Sequence, residues 1–361
     1  MSDSGNTAGS GSGFESELSK ADTRVATFDE TDVTVLQKLR ALLHTYPTAI
    51  PVCVLALSVL MFGFTAGERF MTANNLSLIL QQVTVTGIIA IAQTIVILTA
   101  GIDLSVGAIM VLASIVMGKL AVQSGLPAEF AFVIGMVAGG IMGYVNGLLV
   151  TRLRLPPFIV TLATLYIFAA LKLWYSKSES IRATDTEAIA PKLIFFGHKF
   201  EPFGFAITYG GIAFILLAIL MWYMLNRTAW GRHVHAVGDD PDAALMAGIQ
   251  TDRVLRSVYT VAGFICAFAA IVLIGRVGGT VTPLAGVTAN LDSITAVVIG
   301  GTSLFGGRGS IVGSVLGAVI VGVFRNGLSL SNVDVLWQDF TVGILIIAAV
   351  AIDQWVRKAS S

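Results

Sequence analysis

The sequence predicts an all-α, polytopic membrane protein of about ten transmembrane helices, with both termini cytoplasmic and a disordered N-terminal tail. Three observations predict it. Of 361 residues, 55% are hydrophobic and only 12% charged, with a mean hydropathy of +0.83; a soluble domain carries about 25% charged residues. Apolar runs long enough to cross about 30 Å of hydrocarbon recur along the chain. Glycine, 38 residues in all, sits inside those runs, as at Gly135, Gly139, Gly143 and Gly147. That i, i+4 spacing lets helices approach closely in lipid, and helix packing is its first reading. A soluble enzyme and a disordered chain are excluded. The 22 basic residues balance 22 acidic ones, so no net charge points to nucleic acid. Cys53 and Cys266 lie in apolar runs and read as packing residues.

Residues 1–45 precede the first apolar run, and Gly, Ser, Thr and acidic residues dominate from Ser2 to Thr34, with Gly9-Ser10-Gly11-Ser12-Gly13 at the centre. Such a stretch buries too little apolar area to offset its ordering entropy. It reads as a cytoplasmic tail and juxtamembrane segment, with Leu36–Leu43 as a short amphipathic helix. The membrane domain is placed at 46–356, with a short cytoplasmic C-terminal tail at 357–361. Spans are placed near 50–66, 78–99, 105–122, 129–150, 158–175, 206–225, 256–275, 291–305, 309–325 and 337–353. With the N-terminus inside, cytoplasmic segments collect Arg152, Arg154, Arg227, Arg232, Arg253, Arg256 and Arg308, as the positive-inside rule requires. The stretch 176–205 also carries basic residues, but long loops cross largely regardless of charge.

None of the four histidines falls in a span, against haem ligation, an intramembrane zinc site or a histidine proton relay. No metal site is predicted. No Gly-rich loop ends in Gly-Lys-Ser/Thr, so the chain lacks that device for binding ATP.

The inner loop 226–255 stands out. Turn clusters at Gly231-Arg232 and Gly238-Asp239-Asp240-Pro241 precede a short helix from Asp242 to Ala247 that stops at Gly248. Asp240 suits its N-cap, Pro241 its first turn and Gly248 a left-handed C-terminal cap. Ala243 and Ala244 would let another protein approach closely. The plainer reading is a surface connection between two spans.

Asp242-Ala243-Ala244-x-x-x-Gly248 resembles the Glu-Ala-Ala-x-x-x-Gly signature of ATP-binding-cassette importer permeases, with Asp in place of Glu. The segments 94–110, 143–164, 231–249, 291–314 and 324–330 are similar to the ribose/xylose/arabinose branch, most of all to ribose- and fructose-type permeases. The resemblance covers nearly the whole chain beyond the tail. It implies a bacterial inner-membrane permease for a monosaccharide that is not itself an enzyme and binds no cofactor. Its partners would be cytoplasmic ATPase subunits holding ATP-Mg, a periplasmic sugar-binding protein and a second permease copy. Gly231, Arg232, Asp239, Asp240, Asp242, Ala243, Ala244 and Gly248 would then form the ATPase-coupling surface.

A sugar carries no net charge, so its path needs paired donors and acceptors with aromatic faces. Asn146, Tyr166, Trp174, Asn290, Asp292 and Asn326 are the candidates, although Asn146 reads first as an interhelical hydrogen-bonder. Asp103 and Ser105, in the break that begins at Gly101, read first as caps of the following helix. Their second reading is a cytoplasmic-side hinge or gate, shared with Gly306 and Gly307. GIDLSVGAI and GRGSIVGSV resemble each other, and the topology puts both on the same face. An ion-coupled secondary sugar transporter is the alternative; it would want midplane carboxylates, which are scarce here.

Overall fold

A computed structural model describes residues 49–201, 205–286 and 288–357. The tail 1–45, the Leu36–Leu43 helix and the segment 358–361 lie outside the described residues. The predicted helical architecture is present. Seven helices are long and apolar enough to cross a membrane: α2 (Ala73–Leu98), α3 (Val106–Gly118, continued to Gln123), α4 (Ala128–Leu153), α5 (Pro157–Ser176), α7 (Tyr209–Arg227), α10 (Thr251–Arg276) and α12 (Ile311–Leu330). Three shorter apolar helices join them: α1 (Ala49–Thr65), α11 (Ala289–Ile299) and α13 (Val335–Arg357, apolar to Ala348).

Local chemistry sets the ends. Thr72, Thr208 and Ser310 place side-chain oxygens on the first free N–H groups of α2, α7 and α12, satisfying donors that a helix leaves open. Pro156 and Pro157 end any helix across the preceding turn and start α5. Sequence reasoning ran the eighth span on to 305; instead α11 stops at Ile299, because Gly300 and a left-handed Gly301 break it.

The stretch 176–205 carries α6 (Ala183–Ile189), a 3-10 turn over Pro191–Gly197 and strand β1 (Lys199–Phe200). β1 pairs antiparallel with β2 (Ile207–Thr208), with Lys199 opposite Thr208. This stretch is tied to the chain after α10 by an Ile181–Val281 bridge and by the Thr186 hydroxyl on the Gly279 carbonyl (2.7 Å).

α2 is the core helix, buried almost without interruption from Val83 to Leu98. α3, α10, α11 and α12 pack around it, while α1, α4, α5 and α7 present exposed Leu, Ile, Phe and Trp side chains on their outer faces. An apolar exterior over a packed interior is what lipid solvation demands.

Of the glycine steps of α4, Gly139, Gly143 and Gly147 face α10, and Gly135 faces Met117 of α3. A Cβ on Gly143 would stand 3.0 Å from Gly263 Cα, and one on Gly147 would stand 2.8 Å from Arg256 Cα. Two helix backbones thus touch where side chains would hold them apart, which is how helices gain dispersion contact in lipid. Gly143→Val should destabilise the fold by about 1–3 kcal/mol, read as a lower melting temperature in detergent, whereas Ile141→Val on the exposed face of the same helix should not.

Candidate functional site

The connection 226–250 is a helical hairpin. Gly231-Arg232 and Gly238-Asp239 are not turns but lie inside α8 (Ala229–Asp239), which is followed by α9 (Pro241–Met246). Trp230, Val234 and Val237 recur at i, i+4, i+7, the spacing of a helix with one apolar face; Val234 and Val237 are buried. Trp230 donates to Ser257 on α10 (2.8 Å), and Thr228 caps the helix through the Gly231 N–H (3.3 Å). Gly231 is buried on the Leu225 carbonyl, and Arg232 is exposed.

The second helix has the predicted caps. Asp240 Oδ1 accepts from the N–H groups of Asp242 and Ala243, both at 2.9 Å. Gly248 has φ +84°, and the Ile249 and Gly248 N–H groups close a Schellman motif on Ala244 and Leu245. Of the two alanines, Ala244 is buried and Ala243 exposed. Met246 (90% exposed) and Leu245 (59%) project from the hairpin. Sequence reasoning missed this apolar tip, whose signal was the adjacent Leu245-Met246 pair in the short helix after Asp240-Pro241.

The two chain breaks are tied to each other, and the hairpin touches both. The Gly307 N–H donates to the Leu98 carbonyl at the end of α2 (3.0 Å), and from the hairpin His235 Nδ1 stands 3.1 Å from the Gly307 carbonyl. Gly238 packs on both, so that a Cβ there would lie 2.8 Å from Gly307 N. Gly306, at φ +86°, lies over Ala100. Gly306 and Gly307 therefore meet Gly238 and Asp239 at one junction. The two similar segments do lie at the same end of the bundle.

The first break runs through the protein interior. Asp103 sits beside Gln93, five residues before the end of α2, and Gln93 spans the Asp103 backbone, donating to the carbonyl at 3.0 Å and accepting from the N–H at 3.2 Å. Asp103 Oδ1 accepts from the Ser105 N–H (2.7 Å) and hydroxyl (2.6 Å); Asn146 donates to Ser105 Oγ (2.8 Å), and Thr161 donates to the Ile102 carbonyl (2.9 Å). Ser105 occupies the N-cap position of α3 without capping it, because its hydroxyl serves Asp103 and Asn146. Asn290 of α11 does the capping, accepting from Gly107 N–H at 2.6 Å. Gly101 faces the buried Tyr259 hydroxyl.

At the opposite end lies a cavity of about 380 Å³ among α2, α10, α11, α12 and α13. Arg325 bridges Asp292 (2.7 Å) and Asp339 (3.2 Å), and Thr288 donates to the second oxygen of Asp292 (2.9 Å). Asn326 pairs reciprocally with Asn75 at 3.0 and 2.9 Å, clamping α12 to α2.

The six candidate path residues thus do not form one lining. Asp292 and Asn326 border the cavity. Asn146 and Asn290 are bonded around the first break. Tyr166 and Trp174 stand 70% and 75% exposed on the outer face of α5. Among the described residues no cluster of three His, Cys, Asp or Glu is placed to hold a metal.

A family model described as the permease component of branched-chain amino acid transport systems matches residues 75–350. The chain belongs to that family. A fructose import permease of Rhizobium meliloti is 53% identical to it over 96% of both chains. A ribose import permease of Bacillus subtilis is 37% identical over 91% of this chain and 95% of its own. A xylose transport permease of Escherichia coli is 30% identical over 84% and 90%. No solved structure matches. Like its relatives, this permease is a multi-pass inner-membrane transport component rather than an enzyme.

Asp103→Asn keeps the acceptor that Ser105 uses and should change the melting temperature of the permease little. Asp103→Ala leaves a buried N–H and hydroxyl unpaired and should cost about 1–3 kcal/mol, measurable as a loss of melting temperature in the purified protein.

Proposed function

We propose that this permease carries a monosaccharide of the fructose and ribose class into the cell as the membrane subunit of an ATP-driven importer. The observation that carries the reading is the 53% identity over 96% of both chains to a fructose import permease. Permease relatives named for ribose, allose and xylose import or transport surround it, and none of these matches favours the ion-coupled alternative.

In this reading the chain crosses the membrane ten times and both termini are cytoplasmic: α1 and α13 join the seven long helices, and α11, at 11 residues too short to span alone, is completed by the non-helical chain flanking it. Arg152, Arg154, Arg227, Arg232, Arg253, Arg256 and Arg308 fall at the α8–α9 end, supporting that end as the cytoplasmic one. A periplasmic binding protein delivers the sugar to the opposite end, a second copy of the chain completes the path, and ATP-Mg binds only in the partner ATPase.

The hairpin is the ATPase-coupling surface. Leu245, Met246 and Ala243 form its contact tip; Asp240, Asp242 and Gly248 hold its shape, while Gly231 seats α8 and Arg232 and Asp239 flank it. Because α8 packs on Leu98 and Gly307, tilting the hairpin tilts the closure between the two breaks. ATP and sugar then act through their different affinities for the open and closed states.

Proteoliposomes carrying the permease with its ATPase and binding protein should accumulate fructose only when ATP is enclosed. Uptake by the permease alone under a proton or sodium gradient would contradict the reading. Met246→Asp places a charge on the apolar tip and should weaken ATPase association at least tenfold without lowering the melting temperature. Wild-type association in a pull-down would remove the tip from the interface.

A further inference from the structure

The cavity at the periplasmic end has hydrogen-bonding capacity that the protein does not use. Among the described residues, Gln82, Thr86, Arg276 and Ser329 line it with no side-chain hydrogen-bond partner. Gln82 and Thr86 are half-buried and Arg276 and Ser329 open to solvent, so these donors and acceptors meet water in the cavity and are free to exchange it for a polar guest. The four come from three helices: Gln82 and Thr86 from α2, Arg276 from the end of α10 and Ser329 from α12. Thr86 lies 13 residues into α2, about 20 Å along its axis, so the cavity reaches well into the bundle. Arg276 and Ser329 are exposed, whereas Asp292, Val321 and Gln338 are buried.

Size and charge narrow the guest. About 380 Å³ falls at the small end of ligand pockets, which run about 300–1,000 Å³. Arg276 and Arg325 are offset by Asp292 and by Asp339 beside them, so the site has no net charge to select an anion or a cation. A free amino acid would need an unshared carboxylate for its ammonium group. Asp292 is already engaged by Arg325 and Thr288, and the remaining polar groups are amides, hydroxyls and a guanidinium. That mixture suits a ring of hydroxyls, each both donor and acceptor, with Val83, Ala318 and Val321 beneath the apolar face of the ring.

We infer that this cavity is a sugar-binding station of the permease itself, holding one neutral monosaccharide on Gln82, Thr86, Arg276 and Ser329 beside the Asp292–Arg325 pair. It rests on the import reading above and goes beyond it: cargo is recognised a second time, in the membrane, after the binding protein lets go.

The test uses the full-length permease in nanodiscs, with Ser329→Cys in a Cys53→Ser background, since Cys53 is exposed and Cys266 buried. Millimolar D-fructose should slow maleimide modification of the cysteine at least threefold, and L-leucine should not. Equal rates with and without fructose overturn the station, and protection by leucine instead of fructose overturns its sugar chemistry. In the complete importer, Thr86→Leu should raise the KM for fructose uptake at least tenfold and Thr86→Ser should restore it; a wild-type KM in Thr86→Leu also overturns it. The labelling assay needs no ATP and no partner, so a wild-type importer that fails to carry sugar refutes the transport reading separately.

Discussion

The arrangement depends on one junction where three backbone segments meet directly. Leu98 ends α2, Gly307 lies in the break between α11 and α12, and Gly238 lies in the last turn of α8; the three backbones pack directly on one another. A Cβ at Gly238 would collide with the Leu98 carbonyl, and Gly307 holds a left-handed φ of +71°. Side-chain contacts slide and repack, but a backbone hydrogen bond between close-packed segments has few alternative arrangements. That bond fixes the closure, and the hairpin is held to it by the close packing of Gly238 and by His235 Nδ1 at 3.1 Å from the Gly307 carbonyl, a coupling that a partner pushing on the hairpin would exploit.

The interior of the same end meets a second constraint. Non-helical backbone at membrane depth must find its hydrogen bonds inside the protein. The first break does so through side chains of α2 and α5, Gln93 on the Asp103 backbone and Thr161 on the Ile102 carbonyl, while Asn146 of α4 holds the Ser105 hydroxyl. Asn290 satisfies the first turn of α3 from α11. These polar residues look like a substrate path in the sequence because hydrocarbon makes every amide expensive. Here the expense is met by holding a break in place. The residues that face open space lie at the other end, where Arg325 joins α11, α12 and α13 through two carboxylates.

Much of this was legible in the sequence, for physical reasons. Span positions followed from apolar length, α4 packing from its glycine period, and the caps of α9 from Asp240, Pro241 and Gly248. What escaped was of two kinds. α8 was read as turns because Gly231 and Gly238 suggest flexibility, although Trp230, Val234 and Val237 already carry a helical period; the glycines are there for close approach. The cavity escaped because Gln82, Thr86, Arg276 and Ser329 are scattered over nearly 250 positions, and only packing brings them together. Tyr166 and Trp174 were chosen as aromatic faces for a sugar, but periodicity alone does not say which side of α5 meets lipid.

The claim that matters most is that the hairpin and the inner closure move as one body. Distances between spin labels at Asp239 and Arg308, and between Arg308 and Arg154, measured in the assembled importer with and without trapped nucleotide, test it most directly. The account predicts an unchanged Asp239–Arg308 distance while the Arg308–Arg154 distance shifts by several ångströms. A changing Asp239–Arg308 distance beside a fixed Arg308–Arg154 distance would mean that the hairpin moves without the closure, and would contradict it.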